Sequence, residues 1–135
     1  HGDQGKLSVD LLRDQVKAPF DWLPRTKLVV LENTCNRAGG NYYALSEMQS
    51  IAEFCKQHQL TLHLDGARIF NALVASGQSA MDIGPIFDSI SICLSKGLGA
   101  PIGSVLIGKK SWIQYCRRIR KVMGGGIKIK FLIFY

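Results

Sequence analysis

The sequence lacks the features that mark several specialised classes of protein. It has 4 cysteines in 135 residues and no Cys-x-x-Cys pair, so neither zinc-ligand spacing nor a disulfide framework is indicated. It has no run of roughly 18 apolar residues, so we expect no membrane-spanning segment. His1 stands at the start without a signal-like apolar stretch after it, which fits a processed chain or a fragment. These observations favour a cytoplasmic protein with reduced cysteines and no metal site.

Acidic residues are also scarce, and the charge balance is strongly basic. The formal net charge is +7 and the pI is about 9.4, while hydrophobic residues make up 47% of the chain, enough for the core of one domain. No aromatic platform for stacking bases is interleaved with the charges as single-strand binding would require, so we interpret the basic stretch as a solvated helix face. A nucleic-acid-binding module is the alternative. Much of the excess lies in Lys109, Lys110, Arg117, Arg118, Arg120, Lys121, Lys128 and Lys130.

Apolar patterning predicts alternating strands and helices. The predicted strands are "KLVVLEN" (27–33), "LTLHLDG" (60–66), "DSISICLS" (88–95) and "GSVLIG" (103–108). The predicted helices are 8–17 with Ser8 as N-cap, one opening with a Ser46–Gln49 capping box, 67–77 ending at Gly77, and 111–123. The continuous apolar run of the first strand suits a strand buried on both faces. This order predicts an α/β fold with a mostly parallel sheet and helical crossovers.

Two charged residues come at the predicted carboxyl ends of strands, where ligands bind in such sheets. Asp65 precedes a glycine, and Lys96 is followed by Gly97, Gly99 and Gly103. An aspartate there is often a turn former, and most lysines are simply solvated. The glycines, however, let the backbone approach a ligand closely. An amine and a carboxylate in this order suit pyridoxal phosphate, which needs a lysine and a partner for its ring nitrogen.

Three longer stretches carry a closer resemblance. "LHLDGARIFNA" (62–72), "SICLSKGLGAPIGSVLIG" (91–108) and "RRIRKVMGGG" (117–126) resemble the low-specificity L-threonine aldolase family, and "LVVLENTCN" (28–36) is similar to a strand and loop of the same family. The resemblance covers roughly residues 5–126. It implies the large domain of an aspartate-aminotransferase-like, pyridoxal-phosphate-dependent fold.

The resemblance also implies a role for each matching residue. Lys96 would form the Schiff base with pyridoxal phosphate, Asp65 would pair with the pyridine nitrogen, and Arg68 would bind the phenolate oxygen. The implied activity is an aldehyde-lyase that cleaves threonine or allo-threonine to glycine and acetaldehyde. The implied partners are a small β-hydroxy-α-amino acid substrate and further copies of the chain in a homotetramer, with neither nucleic acid nor membrane.

The sequence departs from the family pattern in two places. Where the family commonly has histidine in "LENTHN", this chain has Cys35, so Cys35 and Asn36 are substrate-pocket candidates and the catalytic base is open. Residues 127–135, "IKIKFLIFY", do not continue the family pattern, and we interpret them as an aberrant tail, such as out-of-frame translation would produce. Residues 1–126 would be part of a cofactor-binding domain, and without the family's phosphate and carboxylate anchors this piece alone is expected to be inactive.

Two other functions fit the sequence. The first is a related pyridoxal-phosphate lyase or racemase that acts on other β-hydroxy amino acids, such as phenylserine. The second is a non-catalytic basic module that binds nucleic acid through residues 109–121. That module would show salt-dependent binding that is unaffected by Lys96→Ala.

Overall fold

The computed structural model describes residues 2–17 and 20–125. The predicted tail, 127–135, lies outside the described residues. The strands are β1 (Leu28–Glu32), β2 (Thr61–Asp65), β3 (Ser89–Cys93) and β4 (Ser104–Gly108). The helices are α1 (Val9–Gln15), α2 (Leu45–Gln57), α3 (Ile69–Ser76), α4 (Ala80–Ile83) and α5 (Lys110–Val122). None of the helices in these ranges has the length and apolar content needed to cross a membrane.

The four strands form one mixed sheet in the order β1-β2-β3-β4. The first three strands run parallel, and β4 pairs antiparallel with β3. Helix α2 connects β1 to β2, and α3 and α4 connect β2 to β3, as parallel pairing requires a crossover. The predicted α/β fold with a mostly parallel sheet is therefore confirmed.

The core lies on one face of the sheet. Alternate residues of a strand point to opposite faces, and along β1 only Val29 and Leu31 are buried, while Leu28 and Val30 are exposed. The expectation that this strand is buried on both faces was therefore wrong for the described part of the chain. The buried residues from the sheet and α2 that pack together include Val29, Leu31, Met48, Ile51, Phe54, Cys55, Leu62 and Leu64.

Local capping explains where the helices begin and end. The Ser8 hydroxyl accepts a hydrogen bond from the Leu11 N–H at 3.3 Å, which confirms the predicted N-cap. Gly77 ends α3 with a φ of +68°, a left-handed conformation that favours glycine. The predicted start of α2 was wrong. The helix is capped at Ala44, whose N–H donates to the Glu47 carboxylate at 2.6 Å, two residues before the predicted Ser46–Gln49 capping box.

Helix α5 carries the basic residues and packs against the end of β4. Arg117, Arg118 and Arg120 are exposed, as expected for a solvated helix face. At Gly108 a Cβ atom would lie 2.8 Å from the Trp112 ring. The indole of α5 therefore sits directly on the strand backbone at that position.

Candidate active site

The carboxyl ends of the three parallel strands bring the predicted residues to one edge of the sheet. Asp65 ends β2 and lies in register with Glu32 of β1 and Ser91 of β3. Asn36 follows β1 by four residues, and Lys96 follows β3 by three. This edge is where an open α/β sheet binds its ligands.

Asp65 is held by its own turn. One carboxylate oxygen, Oδ1, accepts a hydrogen bond from the Ala67 N–H at 3.1 Å, an Asx turn that fixes the carboxylate. Within residues 2–17 and 20–125, no hydrogen bond reaches Oδ2. The side chain is half-buried and lies on the sheet face opposite Leu62 and Leu64. One oxygen thus orients the group while the other can accept from a ligand.

Arg68 opens α3 and lines a cavity at this edge. The cavity has a volume of about 380 Å³, enough for a small aromatic or amino acid ligand. Its walls come from the loop after β1 and from one side of α3. The lining residues that can form side-chain hydrogen bonds are Thr34, Asn36, Tyr42, Arg68 and Asn71.

Lys96 lies on a loop that is fastened at its base. The Leu94 N–H donates to the Gly103 carbonyl at 2.9 Å, and the Ala100 N–H donates to the Leu94 carbonyl at 3.0 Å. The Gly99 N–H closes a tight turn on the Lys96 carbonyl at 3.0 Å, with a Gly99 φ of +68°. The Lys96 side chain is exposed, so its amine is free to meet a ligand.

Cys35 does not face the cavity. Its Sγ lies 3.2 Å from the Glu32 carbonyl oxygen and 3.5 Å from that of Gly5, and the side chain is buried. Burial, followed by the negative charge of Glu32, raises the pKa of the thiol above its usual value. The backbone of Cys35 pairs with Asn41, which holds the loop that presents Asn36.

Some of the predicted site residues line the same cavity, and others do not. Asn36 and Arg68 line the same cavity, whereas the lining described for it does not include Asp65, Lys96 or Cys35. Sequence reasoning missed Thr34, Tyr42 and Asn71. Thr34 and Asn71 lie within the stretches 28–36 and 62–72 that carry the family resemblance, which was a signal for them, whereas Tyr42 had only its position in the loop after β1.

The chemistry available at this edge is that of three different charged groups. A lysine amine can add to a carbonyl carbon, a carboxylate can hold a protonated ring nitrogen, and a guanidinium can bind an anionic oxygen. No group of three or more His, Cys, Asp and Glu side chains among the described residues could hold a metal ion. The amine, the carboxylate and the guanidinium together suit an organic cofactor that has a carbonyl group and a ring nitrogen.

Comparisons with known proteins agree with this chemistry. The sequence model of the family described as beta-eliminating lyase matches residues 1–134. The low specificity L-threonine aldolase of Saccharomyces cerevisiae is 50% identical over 103 residues, which are 76% of this chain and 26% of the yeast protein. The structure of Leishmania major threonine aldolase is similar with a TM-score of 0.81 and 30% identity, over 90% of this chain and 36% of that chain.

A more distant structure shares only the fold. The PLP-bound C-S lyase from Staphylococcus hominis is similar with a TM-score of 0.59 and 19% identity, over 90% of this chain and 32% of that chain. This chain spans about a third or less of the length of each of these three proteins.

Proposed function

The chain belongs to the beta-eliminating lyase family, and on that ground we propose that the whole protein is a pyridoxal-phosphate-dependent aldehyde-lyase. Its substrates are threonine and allo-threonine, and its products are glycine and acetaldehyde. One observation carries the proposal: an amine, a carboxylate and a guanidinium follow two neighbouring strands at one edge of the sheet, in the order that the resemblance to threonine aldolases implies. The similarity to the yeast and Leishmania enzymes supports the same reaction.

The side chains at this edge fit the cofactor. Lys96 supplies the amine that holds the cofactor's carbonyl carbon, and its exposed position leaves that amine accessible. The free oxygen of Asp65 holds the ring nitrogen in its protonated form, and Arg68 binds the phenolate oxygen. When bound, pyridoxal phosphate supplies an electron sink for the pair released when the Cα–Cβ bond of the substrate breaks.

The substrate binds next to the cofactor in the cavity that Asn36 lines. The Asn36 carboxamide is positioned to bind a polar group of the substrate, since it is exposed and lies in the lining. Cys35 serves this pocket indirectly, because its buried thiol and its pairing with Asn41 hold the loop in place. Its raised pKa keeps the thiol neutral at physiological pH, so we place the proton-accepting role on another group.

The family resemblance supports the proposed oligomeric state and pathway, and the cysteine pattern supports the proposed compartment. We propose that the protein works in the cytoplasm as a homotetramer, in threonine breakdown and glycine formation. Residues 1–126 are part of its cofactor-binding large domain, and residues 127–135 are an aberrant tail. Light scattering of the purified whole protein tests the tetramer, and resequencing of its coding region tests the tail.

The direct test is glycine and acetaldehyde release from threonine and allo-threonine by the whole protein. We expect Lys96→Ala to lower the rate to about a thousandth or less, and Asp65→Asn to lower kcat because the ring nitrogen loses its anionic partner. Lys110→Ala, at an exposed lysine of α5, is the matched control and keeps full activity. A folded protein that releases no glycine from either substrate would refute the proposal.

A substrate panel separates this reaction from its relatives. If phenylserine is cleaved and threonine is not, the related lyase is the correct function. If the α-hydrogen exchanges and the substrate inverts without glycine release, the protein is a racemase.

A further inference from the structure

Gly97, the residue after Lys96, lies against the side chain of Asn71. A Cβ atom at Gly97 would meet the Asn71 Oδ1 first, then its Cγ at 3.5 Å and its Nδ2 at 4.0 Å. These are the three nearest heavy atoms outside the chain neighbours of Gly97. The loop that carries Lys96 and the helix that carries Asn71 therefore touch at this point.

Asn71 belongs to the same side of α3 as Arg68. The two residues are three apart, which places them on one face of a helix, and both line the cavity. The Asn71 N–H donates to the Arg68 carbonyl at 3.0 Å, within the first turn of α3. Asn71 thus contacts the lysine loop while its helix forms the guanidinium wall of the cavity.

The contact acts on a loop that has little freedom elsewhere. The bonds of Leu94 to Gly103 and Ala100 close its base, and the bond from Gly99 closes its tip on Lys96. The freedom that remains to the loop is its position as a whole relative to α3. Asparagine has a short side chain with two rotatable bonds, so it loses less rotamer freedom than longer polar side chains do when it fills such a contact.

We infer that Asn71 is a positioning residue that holds the backbone at Gly97 and thereby sets the direction from which Lys96 reaches the cavity. The inference rests on the proposed function, in which the Lys96 amine must meet the cofactor's carbonyl carbon. Lysine has a long, flexible stem, so its reach is defined by where its backbone is held. A misplacement of about 1 Å at a reacting group costs on the order of a hundredfold in rate.

A double-mutant cycle in the whole protein tests the contact. The rate measured is that at which pyridoxal phosphate becomes trapped on Lys96 by borohydride. We expect Asn71→Ala to slow trapping about tenfold, and Gly97→Ala to slow it at least as much because its methyl group displaces the Asn71 carboxamide. In the double variant, removal of that carboxamide makes room for the methyl group. We therefore expect the double variant to be slowed less than the product of the two single effects, by a factor of about five or more.

Hydrogen exchange of residues 94–103 in the cofactor-free protein gives a second readout. Asn71→Ala is expected to speed exchange there, and the isosteric Asn71→Asp is expected to keep it slow because the steric contact remains. Gly84→Ala is the matched control for the added methyl group, since a Cβ at Gly84 would meet nothing within 4 Å.

Additive effects on trapping, or exchange that Asn71→Ala leaves unchanged, would overturn the inference. These outcomes can be distinguished from a failure of the proposed function itself. If wild-type Lys96 is never trapped, the proposed function fails, and the exchange measurement still decides whether Asn71 holds the loop.

Discussion

Gly66 lies at a tightly packed point between the strand that carries Asp65 and the strand that leads to Lys96. Its N–H donates to the Ser91 carbonyl of β3 at 2.8 Å. A Cβ atom there would lie 3.0 Å from that same oxygen and 3.2 Å from the Cβ of Ile69 in α3. Gly66→Ala therefore forces either the sheet or the first turn of α3 to move.

The cost of this substitution is set by overpacking in a buried region. Added methyl groups at such sites destabilise by about 1–3 kcal/mol, and the obstacle here is a backbone carbonyl, which cannot rotate away as a flexible side chain can. Gly84→Ala is the control, because Gly84 has helical φ and ψ values of −52° and −47° and open space around its Cα. There we expect no loss, or a gain of about 0.4–1 kcal/mol from a less flexible unfolded chain.

Equilibrium urea denaturation measures both variants against the wild type. With a slope of about 1–3 kcal/mol per molar urea, Gly66→Ala lowers the midpoint by roughly 1 M without changing the slope. Gly84→Ala leaves the midpoint unchanged or raises it. If Gly66→Ala were as stable as Gly84→Ala, the packing of β2, β3 and α3 described above would be wrong.

Two further predictions concern titratable groups in the first half of the chain. Burial alone would raise the pKa of Glu47, but the hydrogen bond and charge of Lys6, 2.7 Å away, together with the Ala44 N–H, lower it below the ordinary 4.5. The Glu47 carboxylate stabilises the folded state above about pH 4.5, and this stabilisation is lost as the pH falls through the lower pKa that the group has in the folded state. Lys6→Met should weaken the pH dependence of the free energy of unfolding, measured by acid denaturation. An unchanged dependence would count against the ion pair. Iodoacetamide at pH 8 should modify Cys35 more slowly than the half-buried Cys116, because burial raises the pKa of the Cys35 thiol; faster labelling of Cys35 would contradict its orientation.

Strand ends and glycine stops could be predicted from the sequence because their signals are local. The αL glycine at 77 and the apolar runs before Asp65 and Lys96 depend on a few neighbouring residues. The roles of those residues came from the resemblance to a known family, because the pattern of apolar residues cannot show what an individual side chain does. Together they placed the carboxyl edge of the sheet correctly.

Burial and side-chain direction could not be predicted in the same way. The apolar run of β1 does not say which face another element covers, and Leu28 and Val30 are exposed in the described part of the chain. Cys35 occupies the position expected for a pocket residue, yet its thiol turns to the Glu32 carbonyl. The role that we infer for Asn71 depends on a contact with Gly97 across 26 positions of sequence, which only the folded backbone creates.

The amine at position 96 is the most direct target for a decisive measurement. The whole protein is incubated with pyridoxal phosphate, reduced with borohydride and digested, and the modified peptide is identified by mass spectrometry. The account predicts a single pyridoxyl group on Lys96, lost in Lys96→Ala and kept in Lys110→Ala. Modification spread over the exposed lysines of α5, with Lys96 unmodified, would contradict it.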